Sequence, residues 1–379
     1  MTENLTRADI EARELKSLAP YAAISSRSRG RVYPAREHPL RTAFQRDRDR
    51  IIHSAAFRRM EYKTQVFIPH EKDHYRTRLT HTIEVAQISR TLARNLRLNE
   101  DLAEAIALVH DVGHTPFGHS GEYVLDKLLK ERGGFNHNRQ TLRVVDFLEQ
   151  RYDEHPGLNL SYEVREGIAK HETTVDLRLS EFNPDEKPTL EASLVDIADE
   201  ITYNAHDIDD GLSSGIIATN DLKGIDLFRR EPFAAVIKRS SPADDKGRYA
   251  LVRRMLDFMV TDVLDETRRR LQQDEITDLN AVRSASRKIG AYSDETGALV
   301  SGLKEFLNRC LYKHERLRTM SEWAEEILQT IFSGLLEKPS VMPPRFQEML
   351  LTEEKEIVIA DYIAGMTDRY AVKMYDQFQ

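Results

Sequence analysis

Apolar residues recur along most of the chain at the three- and four-residue spacing of amphipathic helices, and strand-like alternation is scarce. The pattern therefore predicts an all-α fold. Asn99 is placed to cap a helix that ends before Gly113, and Ser120 is placed to cap the next one. The predicted helices cover residues 82–96, 100–112, 121–132, 138–152, 162–171, 190–210, 249–273, 300–312, 321–336 and 354–376.

The first fifty residues have the least regular pattern. Within them, Ser25 to Arg36 contains four arginines and no acidic residue, and we expect this segment to form a surface arm. A basic binding segment and a solvated arm are both compatible with that composition.

Composition and charge limit the functional classes to which this protein can belong. The 379 residues carry 63 acidic and 55 basic side chains, a net charge of −8, which disfavours a nucleic-acid binder that relies on bulk basicity. The single cysteine, Cys310, leaves neither an intrachain disulfide nor a cysteine-based metal site, and this suits the reducing cytoplasm. No apolar run approaches about 18 residues, so we expect neither a membrane span nor a signal peptide.

The histidines are unevenly distributed, since ten of the 13 lie between His53 and His171. The segment from His110 to His119 places three imidazoles and the Asp111 carboxylate across a predicted helix end, where glycines and a proline favour a turn. A mixed nitrogen and oxygen ligand set suits Mn, Fe, Co, Ni or Mg better than a closed structural zinc site.

Further ligands are available on neighbouring predicted helices. His81 opens the preceding helix, and an antiparallel helix pair would bring its ring near His110. The stretch from Asp196 to Asp210 contains six acidic residues and no lysine or arginine, so it is the expected source of a carboxylate ligand. A solvated acidic helix face would have the same composition.

Two other sequence patterns are alternative candidates for the metal site. His206 and Asp207 form a second His-Asp pair, but it lies in mid-helix, and we interpret it as facing the substrate. Residues 70–74 fit the letters of the zinc-peptidase pattern, yet Pro69 precedes them and their flanks lack a helical pattern, which disfavours that interpretation.

A basic cluster surrounds His81. Guanidinium groups bind phosphate oxygens in a bidentate manner, and a divalent cation beside them would favour a polyphosphate substrate. A solvated charged loop is the alternative. The cluster consists of Arg58, Arg59, Lys63, Lys72, Arg76 and Arg78.

The set formed by His81, His110, Asp111 and Asp199 resembles the metal ligands of the HD-domain phosphohydrolases. The blocks around it are similar to the bacterial deoxyguanosine triphosphate triphosphohydrolase-like branch, over about residues 40–215 and again near the C-terminus. These blocks are RRMEYKTQV (58–66), YRTRLTH (75–81), HDVGHTPFGH (110–119), ADEITY (198–203) and DYIAGMTDRY (361–370).

The resemblance implies that water attacks the α-phosphorus of a deoxynucleoside triphosphate and releases deoxynucleoside and intact triphosphate. It also implies that His81, His110, Asp111 and Asp199 hold one or more divalent ions, with Mn, Mg, Co, Ni and Fe all open. We expect the chain to divide into an N-terminal arm (1–50), an HD phosphohydrolase core (51–215) and a C-terminal helical region that packs on the core (216–379).

By the same resemblance, three residues form the acid/base group near the α-phosphate: His119, Glu122 and His137. A carboxylate beside an imidazole tunes it for proton transfer, and Glu122 follows His119 by three residues at a helix start.

The resemblance further assigns the substrate contacts. His114 and Arg78 would lie near the phosphates, Gln65 and Asp207 would read the sugar 3′-hydroxyl, and Tyr203 would stack on the sugar. Val66 would pack against the sugar and exclude a 2′-hydroxyl, which would make ribonucleotides poor substrates.

Members of this family are commonly oligomers, often hexamers, and some respond to an activating nucleotide or to single-stranded DNA, so we expect a homo-oligomer here. Base preference does not follow from any motif. Two alternatives stay open: another HD-domain hydrolase, such as a guanosine tetraphosphate hydrolase, phosphodiesterase or nuclease, and a nucleotide-sensing protein without catalytic activity.

Overall fold

The computed structural model describes residues 5–65, 76–171, 181–239 and 244–379. Within these residues the chain forms helices and isolated bridges but no strand, which confirms the predicted all-α class. In the same part of the chain, none of the helices combines the length and the apolar character that a membrane crossing requires.

Nineteen α-helices occur in the described residues, and two short π-helical segments, at residues 144–148 and 308–312, extend two of them. In chain order the helices are α1 (Arg7–Ser17), α2 (Ala43–Ile52), α3 (Ala55–Arg59), α4 (Arg78–Asn95), α5 (Glu100–Val109), α6 (Gly118–Leu128), α7 (His137–Arg143), α8 (Tyr162–Ala169), α9 (Leu190–Ser214), α10 (Thr219–Leu222), α11 (Asp226–Arg229), α12 (Phe233–Arg239), α13 (Asp245–Gln273), α14 (Leu279–Ser284), α15 (Asp294–Leu307), α16 (Glu315–Glu337), α17 (Pro344–Met349), α18 (Lys355–Ala364) and α19 (Asp368–Tyr375).

The predicted helix starts are partly right. The Asn99 side chain accepts the backbone N–H of Leu102 and caps α5 as expected. The prediction of a Ser120 cap is wrong, because α6 begins earlier, at Gly118. Its preceding residue, Phe117, is left-handed with φ 62°, and no side chain caps this helix.

The predicted C-terminal helix over 354–376 is also corrected. It is broken between Ala364 and Asp368 into α18 and α19. The Thr367 side chain accepts the backbone N–H of Tyr370 and starts α19 as a separate helix. At the break, the Ala364 carbonyl oxygen accepts a hydrogen bond from the Lys63 side chain.

The buried apolar residues form two clusters. The larger one is built on α4, α5 and α9, with Leu92, Ile106 and Leu194 fully buried. The smaller one joins α6, α16 and α18 through residues such as Leu125 and Leu328. The predicted metal ligands lie on or just after helices of the first cluster, and two of the predicted acid/base residues, His119 and Glu122, lie on α6 of the second.

The N-terminal segment predicted as an arm contacts α8 and α2. The Glu163 carboxylate accepts hydrogen bonds from the Ser28 hydroxyl and the Arg29 backbone N–H, at 2.6 and 2.7 Å. Arg31 forms a buried ion pair with Asp47. These contacts hold the segment against the helices that carry the larger apolar cluster.

Candidate active site

Three of the predicted metal ligands come together where α4, α5 and α9 meet. His81 lies in the first turn of α4, His110 directly follows α5, and Asp199 lies on α9. The distance from His81 Nε2 to Asp199 Oδ1 is 2.8 Å, and from His110 Nε2 to the same oxygen it is 3.6 Å. The three side chains offer ligand atoms within 4.8 Å of one another, a group that could hold a metal ion.

The hydrogen bonds of His110 fit a cation at this point. Its Nδ1 lies 2.7 Å from the Ala107 carbonyl oxygen, and since a carbonyl only accepts, Nδ1 carries the proton. In the neutral imidazole the lone pair is then on Nε2, which is buried and has no hydrogen-bond partner among the described residues. A buried nitrogen acceptor that faces two carboxylates is what a divalent ion would use.

Asp111 connects this cluster to the residues beyond it. Its Oδ1 lies 3.5 Å from His110 Nε2, and its Oδ2 lies 4.0 Å from His81 Nε2. Arg78 donates to Oδ2 at 2.8 Å, and His114 Nε2 lies 3.2 Å from Oδ1. Burial alone would raise the pKa of Asp111, but its interactions with His110, Arg78 and His114 hold it well below its ordinary value.

His171 belongs to the same cluster, although the sequence patterns indicate it only as a helix end. Its Nδ1 lies 2.6 Å from Asp196 Oδ1, and its Nε2 lies 3.6 Å from Asp199 Oδ2. Burial lowers its pKa, but the two carboxylates outweigh that effect and raise it well above the ordinary value. The imidazole therefore bridges two carboxylates and orients Asp199. Its place within the dense run of histidines was the available signal.

The three predicted acid/base residues are in contact. Glu122 Oε1 accepts from the backbone N–H of His137 at 2.8 Å and lies 2.9 Å from His137 Nδ1. His119 Nδ1 lies 3.4 Å from Glu122 Oε2, and the His119 side chain is 64% exposed. Burial would raise the pKa of Glu122, yet hydrogen bonds from both imidazoles hold it well below the ordinary value. The carboxylate is therefore ionised and shared by two histidines.

His114 lies between the two groups. Its Nδ1 is buried and has no hydrogen-bond partner among the described residues. Burial first, then the charges of Arg78 and His137, lower its pKa well below the ordinary value. His114 is therefore neutral, and it fills the space between Asp111 and His137.

Arg78 is buried beside Asp111 and has unused donors. One terminal nitrogen donates to Asp111, while Nε and the other terminal nitrogen have no partner among the described residues. Gly118 allows this arrangement, because a Cβ there would lie 3.2 Å from the Arg78 guanidinium and 3.3 Å from the Gln65 carbonyl oxygen. Its φ of +59° also favours glycine. Arg78 can therefore donate to an anion at this point.

A second polar group lies on α9. The Tyr312 hydroxyl contacts both the Asp207 carboxylate and the Tyr203 hydroxyl. Burial raises the pKa of Asp207 to about 8. Tyr312 lies in the π-helical segment 308–312, and no motif in the sequence marks it as a site residue.

The other predicted substrate contacts are partly described. Gln65 is buried, and its Oε1 has no partner among the described residues. Val66 and the disfavoured zinc-peptidase pattern at 70–74 lie outside the described residues. His206 contacts Glu84 on α4, and its Nδ1 lies 3.5 Å from His81 Nδ1.

Residues near the C-terminus accept hydrogen bonds that hold the backbone on two sides of the site. Lys63 is buried and donates to the carbonyl oxygens of His114 and Ala364, at 2.6 and 2.8 Å. Asp368 accepts from the backbone N–H groups of Thr64 and Phe117, at 2.8 and 2.9 Å. The break between α18 and α19 therefore provides the groups that hold the turn after His114.

Comparison with known proteins places most of this site within two matched regions. Residues 78–204 match the HD domain, and residues 290–377 match the phosphohydrolase-associated domain. Three relatives carry the name deoxyguanosinetriphosphate triphosphohydrolase-like protein. The one from Geobacter sulfurreducens is 46% identical over 97% of this chain and 95% of its own length. Those from Brucella anthropi and Thiobacillus denitrificans are each 48% identical over 94% of this chain, and over 94% and 96% of their own lengths.

Proposed function

The chain belongs to the HD-domain family of deoxyguanosinetriphosphate triphosphohydrolase-like proteins, and we propose that it hydrolyses deoxynucleoside triphosphates to deoxynucleoside and triphosphate. In the proposed reaction, water attacks the α-phosphorus of dGTP or another deoxynucleotide. The observation that carries the proposal is the continuous set of contacts from the His81, His110 and Asp199 cluster through Asp111 and His114 to the acid/base group.

The residues present fit a divalent cation. His81, His110 and Asp199 would hold it together with Asp111, whose carboxylate lies 3.5 Å from His110 Nε2. Mn, Mg, Co, Ni and Fe are all compatible with nitrogen and oxygen ligands. When bound, such an ion polarises the phosphoryl group and orients or acidifies a water molecule.

Arg78 supports a polyphosphate substrate. Its two unpartnered donor positions lie next to the cluster and on the side of Gln65 and Gly118. In the proposal it donates to a phosphate oxygen, and neutral His114 lies beside the same oxygens. Fixed donors at this point offset the charge that builds up on the phosphate oxygens during attack.

Proton transfer is assigned to the group around Glu122. The ionised carboxylate accepts from the Nδ1 side of His137 and faces Nδ1 of His119. Each ring is thereby oriented with Nε2 directed away from Glu122. In the proposal, the exposed His119 in its imidazolium form gives its Nε2 proton to the departing 5′-oxygen and regains a proton that the attacking water releases. His137 keeps Glu122 ionised and in place.

The sugar is assigned to the polar group on α9. Asp207, Tyr203 and Tyr312 form one hydrogen-bonded unit, and the Asp207 Oδ1 has no partner among the described residues. We propose that Asp207 and Gln65 bind the 3′-hydroxyl and that Tyr203 packs on the sugar. Exclusion of a 2′-hydroxyl by Val66 stays a prediction.

The test is to incubate the purified protein with each of the four deoxynucleotides and GTP, with Mg, Mn or Co supplied in turn. Ion-exchange chromatography should resolve intact triphosphate and deoxynucleoside as the products. In ¹⁸O-labelled water, the label should enter triphosphate and not the deoxynucleoside, because attack is at the α-phosphorus. Release of phosphate or pyrophosphate would instead indicate the activity of another HD-domain branch. Absence of product with every metal would favour a nucleotide sensor.

The proposal also includes the oligomeric state of the protein and its location in the cell. We infer a homo-oligomer acting in the cytoplasm, supported by the sequence resemblance and by the presence of one cysteine. Light scattering after size-exclusion chromatography would give the number of chains, and a monomer at micromolar concentration would contradict this part.

A further inference from the structure

His206 is a buried histidine of α9 that has no role among the residues assigned above to metal, proton transfer or substrate. Its Nε2 contacts the Glu84 carboxylate of α4, and its Nδ1 lies 3.5 Å from Nδ1 of His81. Both ring nitrogens are therefore directed at protein groups, and neither is left to face a substrate as the sequence interpretation expected.

The other ligands of the cluster around His81 each have a group behind them. Nδ1 of His110 lies 2.7 Å from the Ala107 carbonyl oxygen, and Oδ2 of Asp199 lies 3.6 Å from Nε2 of His171. Contacts of this kind hold ligand side chains in the orientation that a cation needs. His81 needs its partner at Nδ1, because its Nε2 is the atom that faces Asp199, at 2.8 Å.

The protons on the two rings can be placed from the groups that they face. A carboxylate only accepts, so Nε2 of His206 carries the proton that it donates to Glu84. In the neutral ring, Nδ1 of His206 is then an acceptor. When Nε2 of a neutral His81 gives its lone pair to a cation, its Nδ1 carries the proton, and that proton faces the acceptor on His206.

We propose that His206 and Glu84 are positioning residues for the metal ligand His81. Glu84 fixes which nitrogen of His206 is protonated, and His206 accepts the Nδ1 proton of His81, so that the Nε2 lone pair of His81 is directed at the ion. The assignment deepens the metal site of the proposed function, and it rests on that function for the presence of the ion.

The helices explain why this carboxylate is available to this ring. Glu84 follows His81 by three residues on α4, so the two side chains share a face of that helix. The Glu84 side chain is 43% exposed, whereas those of His81 and His206 are 2% and 3% exposed. Water therefore reaches Glu84 but is excluded from the contact between the two rings.

Titration with Mn²⁺ in the absence of nucleotide tests the proposal separately from hydrolysis. The paramagnetic resonance signal of the free ion gives the fraction that the full-length protein binds. His206→Phe keeps a planar ring and removes both nitrogens, so it should weaken Mn²⁺ binding by about 10–100-fold. Glu84→Ala should weaken binding by less, because water can replace the carboxylate at this partly exposed position.

Two further variants separate positioning from a loss of structure. His206→Asn places a side-chain carbonyl oxygen near the position of Nδ1, where it can accept from His81, so its affinity should lie between those of the wild type and His206→Phe. Gln87→Ala is the matched control for Glu84→Ala, because it truncates an exposed residue three positions further along α4. It should bind Mn²⁺ as the wild type does. Thermal melts of the metal-free proteins show which variants fold.

The proposal is overturned if His206→Phe binds Mn²⁺ as tightly as the wild type, or if His206→Asn binds as weakly as His206→Phe. If the His206 variants do not fold, the comparison of Glu84→Ala with Gln87→Ala decides, and equal affinities overturn the proposal. Failure of the hydrolysis assay leaves these affinities unchanged. A wild type that binds no Mn²⁺ would overturn both this proposal and the metal site.

Discussion

The ring of His114 lies flat on the ring of His137, with their centroids 4.0 Å apart and their planes inclined by 16°. His114 also contacts Asp111, and His137 contacts Glu122, so one stacked pair joins the metal-ligand cluster to the acid/base group. The two groups are therefore held at a fixed separation by packed side chains rather than by solvent.

Removing a metal ligand and removing a proton donor should have different effects. Asp111→Ala should abolish turnover and lower the bound metal, because it takes a carboxylate from the cluster. His119→Ala should keep the metal and lose about 10²–10⁴-fold in kcat, the usual contribution of general acid catalysis. Metal content by mass spectrometry, measured beside kcat, checks both. Full activity of the Asp111 variant would contradict the ligand assignment.

Tyr312→Phe should weaken substrate binding while leaving the metal in place. The hydroxyl contacts Asp207 and Tyr203, and its loss removes a hydrogen bond to a group that binds the sugar. We expect KM to rise by roughly tenfold. Tyr292→Phe is the control, because the Tyr292 hydroxyl has no hydrogen-bond partner among the described residues. An unchanged KM for Tyr312→Phe would remove this residue from the substrate site.

Asp207→Asn should change how stability depends on pH. Burial raises the pKa of Asp207 from 3.8 to about 8, so folding takes up a proton between these values. The stabilisation of the folded protein by the protonated Asp207 carboxyl group is fully present below pH 4 and is lost as the pH rises toward 8. The stability of the asparagine variant does not fall in this way. The difference between its free energy of unfolding and that of the wild type should therefore increase from pH 5 to pH 8. Urea unfolding at several pH values measures it, and a constant difference would count against the assignment.

Lys63→Met should destabilise the protein and slow the reaction. It leaves the His114 and Ala364 carbonyls without their donor, at a cost of about 1–3 kcal/mol for each buried group. Lys127→Met, which removes an exposed lysine of α6, is the control and should leave stability nearly unchanged. If the two variants unfold at the same urea concentration, Lys63 does not hold the turn.

The sequence predicts the parts of this site that lie within contiguous motifs. Helix patterns predict that His81 and His110 lie close together and that Asp196 to Asp210 supplies a carboxylate, while the choice of Asp199 came from the family resemblance. The start of α6 could not be predicted, since Phe117 is held left-handed beside a contact with Asp368, 251 residues later. Tyr312 was missed for a similar reason: its role depends on how 308–312 packs on α9, and that packing leaves no local pattern.

The contacts of Lys63 and Asp368 make the two matched regions depend on each other. Ala364 and Asp368 lie in the second region, yet they bind the Lys63 side chain and hold the backbone at Thr64 and Phe117, beside the candidate site of the first. A fragment limited to the first region therefore lacks the contacts that fix the site, even where its own helices form. Proteolytic removal of α18 and α19 should loosen the turn after His114 without cutting any residue of the metal-ligand cluster.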